Sequence, residues 1–189
     1  MQDQAGHKTT YAYDADTGRL LTVTDPLNNV TRYAYNDRGE TTHVWGSAAT
    51  PVEYVYDDFG QRITMSTFRG GSNWNSATWP GGTADVTTWI YEDATGLLLE
   101  KRYADYGTTG NKIAYTYTAE GKLASRTWAR SSSGSHVTTY DYDADTGDMT
   151  EVDYADTTPD VTFTYDRLGR KKTVTDIVGT RTFVYNDDM

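Results

Sequence analysis

Alternation organises this chain. Short runs in which aromatic, aliphatic or β-branched residues alternate with polar ones recur from end to end, as in Tyr11-Ala12-Tyr13, Leu20-Leu21-Thr22-Val23-Thr24 and Lys172-Thr173-Val174-Thr175. A period of two sends successive side chains to opposite faces of a strand and predicts β structure. No segment sustains the helical period.

The unit behind the alternation is Tyr-x-Tyr. Eight copies end at Tyr13, Tyr35, Tyr56, Tyr91, Tyr117, Tyr142, Tyr165 and Tyr185, in steps of 22, 21, 35, 26, 25, 23 and 20 residues. Near-constant spacing of this kind marks a repeat architecture. The residue two positions earlier is aromatic every time: Tyr11, Tyr33, Tyr54, Trp89, Tyr115, Tyr140, Phe163 and Phe183. Both rings of a pair are therefore expected on one face of a strand.

A glycine follows the second tyrosine after four or five residues, at Gly18, Gly39, Gly60, Gly96, Gly121, Gly147 and Gly169; the eighth copy lacks one. The residues between are turn formers, as in Asn36-Asp37-Arg38-Gly39. Asx side chains bond the local backbone and glycine accepts positive φ, so each unit predicts a hairpin whose return strand begins just after the glycine. The expected fold is all-β: roughly sixteen short strands in an antiparallel meander of hairpin repeats. So many strands in one twisted sheet imply a strongly curved, shell-like sheet. Residues 1–189 read as a single tandem array of about eight repeats, with a loop insertion at 70–86 that accounts for the long step, and smaller enlargements at 107–111 and 131–136.

Composition refines this picture. Leu, Ile, Val and Phe number 28 of 189 residues and the net charge is -10, a balance that by itself points to disorder. Sixteen Tyr and five Trp reverse that reading, because each buries a large rigid ring while its polar tip stays satisfied. Thr, at 33 copies, suits a half-wet pleated surface. No apolar stretch is long enough for a transmembrane helix, so no membrane insertion is expected, and the N-terminus lacks the apolar core of a signal peptide. There is no cysteine, hence no disulfide or thiolate metal site. The acidic balance argues against nucleic acid as a partner and leaves proteins and neutral glycans open.

Tyr11-Ala12-Tyr13-Asp14-Ala15-Asp16-Thr17-Gly18-Arg19-Leu20 followed by Val23-Thr24-Asp25-Pro26, and again Phe163-Thr164-Tyr165-Asp166-Arg167-Leu168-Gly169-Arg170 followed by Val174-Thr175-Asp176, resemble the tyrosine-aspartate (YD) or Rhs repeat family. The resemblance extends over nearly the whole chain. It implies a β-sheet that spirals into a hollow shell, which in bacterial insecticidal toxin complexes and polymorphic Rhs toxins encloses a toxic C-terminal polypeptide; related repeats occur in the extracellular part of teneurins. It also implies a bacterial protein that is secreted or at the cell surface. The partners implied are the remainder of a parent repeat protein or its enclosed polypeptide. The chain has no counterpart of the family's core region with self-cleaving aspartates, so processing and toxicity do not carry over.

Candidate chemistry is sparse. The tyrosine pairs either stack on neutral sugars or form a cross-strand ladder, and their presence in every repeat favours the ladder. Asp14-x-Asp16-x-Gly18 and Asp143-x-Asp145-x-Gly147 resemble the opening of calcium loops, yet no bidentate Glu follows and the same residues serve Asx turns. His7, His43 and His136 lie apart from one another in sequence. Lys171, Lys172, Arg167 and Arg170 make a small basic spot that reads as a solvated strand face. The most site-like feature is Trp74 and Trp79 in the insertion, which either contact a ligand or fold back to cover the sheet. No catalytic, cofactor or metal site is assigned and the chain is expected not to be an enzyme. Unpaired terminal strands predict closure of Thr9–Tyr13 onto Thr182–Tyr185, or an edge-to-edge homo-oligomer.

Overall fold

The computed structural model describes residues 8–69, 73–129 and 136–186. Within them fifteen strands follow one another as a single antiparallel meander, ordered β1 to β15 as in the sequence. The chain divides into two compact units, Met1–Trp89 and Ile90–Met189. Unit 1 holds β1 (Thr10–Tyr13), β2 (Leu20–Thr24), β3 (Val30–Tyr35), β4 (Thr41–Gly46), β5 (Val52–Tyr56), β6 (Arg62–Phe68) and most of β7 (Ala84–Tyr91). Unit 2 holds β8 (Leu98–Arg102), β9 (Lys112–Tyr117), β10 (Leu123–Thr127), β11 (Val137–Tyr142), β12 (Met149–Tyr154), β13 (Val161–Tyr165), β14 (Lys171–Asp176) and β15 (Gly179–Thr182). Each of the first seven Tyr-x-Tyr units supplies one hairpin, and a seam joins its return strand to the first strand of the next repeat.

Seven of the eight Tyr-x-Tyr segments end a strand. The eighth departs from expectation: β15 stops at Thr182, and Phe183-Val184-Tyr185 lie just beyond it. The Phe183 N–H still reaches the Lys172 carbonyl at 2.9 Å, so the segment runs on along β14. In the earlier repeats a return strand pairs with this segment from the other side; here the described residues supply none, which is why fifteen strands form where about sixteen are expected. The insertion is also shorter than expected. Ala84, Asp85 and Val86 belong to β7 and pair with Phe68, Thr67 and Ser66, so the insertion lengthens the β6–β7 ladder before it departs. The enlarged junction at 107–111 contains a helical turn, α1 (Tyr106–Thr109), closed by left-handed Gly110, whose N–H bonds the Tyr106 carbonyl at 2.8 Å. The 131–135 stretch lies outside the described residues.

Register decides which side chains meet. In unit 1 Tyr11 opposes Val23, Tyr33 opposes Val44 and Tyr54 opposes Met65; Val23 in turn opposes Thr31, Val44 opposes Val52 and Met65 opposes Thr87. Unit 2 repeats the scheme with Tyr115 on Arg126, Tyr140 on Val152 and Phe163 on Val174. Directly opposed residues of an antiparallel ladder share a face, so in each unit the tyrosine pairs line up on one face with the aliphatic and β-branched residues opposite them, joined in unit 2 by Arg126. The other face of unit 2 is polar, and hydroxyls pair across it at Thr116–Ser125 and Thr164–Thr173, both 2.6 Å. Among the described residues only Trp45, Gly46, Pro51, Ser66, Ile113 and Thr138 are buried. A sheet with so little enclosed core depends on its ladder and its cross-strand neighbours.

The turn glycines behave as their spacing predicts: all seven take positive φ, between 68° at Gly18 and 88° at Gly39. The aspartate or asparagine that opens the turn organises it. Asp14 Oδ1 accepts from the Thr17 N–H at 2.8 Å, Asp143 Oδ1 from Thr146 at 2.8 Å, and Asp166 Oδ1 from Leu168 at 2.8 Å and Arg170 at 3.0 Å. These contacts have a consequence for pH. Hydrogen bonds from Thr17, chiefly its side chain, hold Asp14 below the usual carboxylate range; bonds from Asn29 do the same for Asp25, and backbone N–H groups for Asp143. A carboxylate whose pKa is depressed by folding stabilises the fold above its unfolded value and loses that contribution as pH falls through the folded one. The urea midpoint should therefore hold down to the ordinary aspartate range, about pH 3.9, and drop below it. A midpoint that rises on acidification from pH 5 to pH 2 would contradict these turns.

Candidate functional site

In six of the eight repeats the second tyrosine reaches backwards. Tyr35 donates its hydroxyl to the Leu20 carbonyl at 2.8 Å, Tyr56 to Thr41 at 3.0 Å, Tyr117 to Leu98 at 2.8 Å, Tyr142 to Leu123 at 2.9 Å, Tyr165 to Met149 at 2.8 Å and Tyr185 to Lys171 at 2.8 Å. The acceptor is always in the return strand of the preceding repeat. Five of these six carbonyls, all but that of Leu98, belong to the residue at which the ladder shifts by one, opposite the second tyrosine of its own hairpin. Such a bulge turns backbone groups out of the ladder and leaves them in need of a partner. The next repeat provides it. Burial pushes the Tyr35, Tyr56, Tyr117, Tyr142 and Tyr165 phenols up, so all stay protonated donors at neutral pH.

A cation strengthens several of these seams. Arg19 donates to the Asn36 carbonyl at 2.8 Å and to the Asp37 carbonyl at 3.0 Å, in the turn of the following repeat, with its guanidinium 5.9 Å from the Tyr35 ring centre. Arg38 grips the Asp57 and Asp58 carbonyls, and Lys122 the Gly147 carbonyl at 2.6 Å. Arg170 lies 4.3 Å from the centre of the Tyr185 ring and pairs with Asp166 at 2.7 Å. It is thus a seam residue and not part of a solvated basic face. The sequence displays the basic residue beside the turn glycine but hides its target, because a backbone carbonyl leaves no trace in the choice of side chain.

Trp74 and Trp79 meet in unit 1. Their ring centres are 5.1 Å apart, and both lie against Phe68, at 5.1 and 5.2 Å. Trp79 also meets Trp45 edge to face at 5.7 Å and His43 at 4.6 Å. The Trp45 indole N–H donates to the Ser76 carbonyl at 3.0 Å, which fastens the insertion to β4. His43 and Trp45 lie on the face opposite the tyrosines, as do Ser66 and Phe68 on β6. The insertion therefore covers an aromatic patch on the face away from the tyrosines, and both indoles are half-buried in that cover. Trp45, which the sequence analysis did not single out, is its anchor; a tryptophan placed just before Gly46 in a return strand was the available signal.

Neither remaining described histidine joins a metal-like group. His43 lies 3.5 Å from Glu53, and His136 lies 3.6 Å from Asp156. His7 falls outside the described residues. Removing one tyrosine hydroxyl tests the seam directly. Tyr35→Phe should lower stability by about 1 kcal/mol, the usual net worth of a hydrogen bond, as read from urea unfolding. An unchanged midpoint would show that water serves the Leu20 carbonyl as well.

The family model named RHS Repeat matches residues 16–45. That stretch resembles an Rhs repeat. The matched span covers the first turn, β2, β3, the second turn and nearly all of β4, hence the first complete Tyr35 lock and the first Arg19 clamp. Among solved structures, TcdB2-TccC3 without its hypervariable C-terminal region is similar over 91% of this chain and 10% of its own, with 18% identity and a TM-score of 0.52. A second structure, of TcdB2-TccC3, is similar over 95% of this chain and 11% of its own, with 17% identity and a TM-score of 0.51. The chain thus spans about a tenth of the length of those chains, and at this identity the likeness speaks for the fold. No curated protein sequence matches the chain.

Proposed function

We propose that this chain is a structural segment of a larger exported bacterial Rhs or toxin-complex protein, in which it forms part of the wall of an enclosing β-shell. The observation that carries this reading is the use of the repeat's own motif. The hydroxyls of Tyr35, Tyr56, Tyr117, Tyr142, Tyr165 and Tyr185 are engaged by the preceding repeat, and the cations Arg19, Arg38 and Lys122 by the following one. Side chains committed in this way hold an array together and have no free polar tip for substrate chemistry. The likeness in fold to a tenth of each TcdB2-TccC3 chain supports a part of a long array, and we assign the segment no catalytic role.

Enclosure is tested on the parent protein by electron microscopy, which should show a hollow particle with these repeats in its wall; a solid or extended array would overturn it. The carbohydrate-binding alternative is tested on the chain itself. Titration with neutral oligosaccharides should leave tryptophan fluorescence without a saturable change up to about 1 mM ligand, a threshold corresponding to about -4 kcal/mol of binding. Saturable quenching abolished by Trp79→Ala in a chain that still folds would instead make the insertion a binding loop.

A further inference from the structure

We infer that the array has a built-in opening point at the seam between its sixth and seventh repeats, where β12 meets β13. Two features distinguish this seam. Its ladder is short, with Glu151 opposite Thr162 and Val152 opposite Val161, whereas β2–β3, β8–β9 and β10–β11 each align three residue pairs. The β4–β5 seam is equally short, with His43 opposite Glu53 and Val44 opposite Val52. There the deficit is offset by Arg38, which grips two turn carbonyls of the following repeat.

At β12–β13 neither position beside the turn glycine, where the other repeats carry the cation, holds one. The turn of repeat six reads Thr146-Gly147-Asp148, so a carboxylate occupies the position held by Arg19, Lys122 and Arg170 in repeats one, five and seven. Asp148 lies close enough to Tyr165 to oppose ionisation of its phenol, adding to the effect of burial. The Tyr165 hydroxyl bond to Met149 is kept, but without the clamp that accompanies it elsewhere.

The surroundings act in the same direction. Asp141 stands directly opposite Glu151 in the β11–β12 ladder, an arrangement of like charges that destabilises a sheet. No Lys or Arg occurs between residues 131 and 166, so no basic residue of the hairpin offsets these acids. Repeat four also lacks a cation beside its glycine, but Leu97 follows Gly96 and adds no repulsion, and its seam keeps three aligned pairs. Charge, ladder length and the missing clamp converge at one seam only. Its opening does not depend on the chain's place in a shell.

Hydrogen exchange of the whole chain, resolved by residue, tests this. In about 50 mM salt the amides of β12 and β13 that face each other should exchange about tenfold faster than those joining β10 to β11. Raising salt to about 1 M, where the Debye length falls to about 3 Å, should narrow the gap. Asp148→Arg should narrow it further by restoring the clamp, and Asp148→Asn should narrow it partly by removing only the charge; the Asn variant decides the matter if the Arg variant does not fold. Equal exchange at the two seams in the unaltered chain, or a gap that salt and both substitutions leave unchanged, would overturn the inference.

Discussion

Gly46→Val should disrupt the β3–β4 hairpin at a cost of about 3 to 5 kcal/mol, enough to unfold a marginal array at room temperature. Gly46 closes β4 opposite Thr31 with φ at 127°, a region that residues with a β-carbon rarely adopt. A β-carbon there would also collide with the Val30 carbonyl oxygen, which is backbone and cannot swing aside. Strain and collision therefore add. Gly18→Ala supplies the control: Gly18 also has positive φ, at 68°, but a β-carbon would meet nothing within 4 Å, so only the left-handed conformation costs, about 1 to 2 kcal/mol. Circular dichroism and urea unfolding of both variants measure the difference. Equal losses would mean that the close approach at Gly46 is relieved by a backbone shift.

Trp45→Ala should be the most damaging side-chain truncation in unit 1. Trp45 is 6% exposed, and its loss removes the edge contact with Trp79 and the bond to Ser76 that fastens the insertion. Truncation of a buried tryptophan costs about 3 to 5 kcal/mol when the cavity cannot collapse. Two readouts are expected together: a lower urea midpoint, and faster proteolytic cleavage within 73–83, where Trp74 and Trp79 lose their support. Cleavage that stays slow while the midpoint falls would show that Phe68 alone holds the insertion down.

The architecture was legible because the repeat states it many times over. Tyr-x-Tyr followed by Asx and Gly at a fixed distance specifies a strand and a turn, and seven positive-φ glycines follow from that spacing. The strand count differed at one end, where Phe183–Tyr185 has no return strand among the described residues to complete its ladder. The insertion boundary moved because Ala84-Asp85-Val86 look like loop in isolation and become strand only opposite Ser66-Thr67-Phe68. That pairing is a tertiary fact. The seam chemistry was half legible: the tyrosines and arginines stand out in the sequence, but the turn carbonyls that the arginines bond leave no trace in it, and the bulge carbonyls that most of the tyrosines bond exist only once each ladder has slipped by one residue. Similarly, Trp74 and Trp79 were recognisable as a pair, and the face they cover was not, since it depends on the register that places His43, Trp45 and Phe68 on the side away from the tyrosines.

The recurring tyrosines lock each repeat to its predecessor through their hydroxyls, and the urea midpoint of a series in which Tyr35, Tyr56, Tyr117 and Tyr142 are changed to Phe one after another measures that lock directly. The four sites bond four different return strands, so their effects should add, with each substitution removing about 1 kcal/mol and leaving the rings in place. A stepwise fall in the midpoint through the series is the result this account predicts. A midpoint that stays constant to the fourth substitution would contradict it and show that the hydroxyls serve something other than the array.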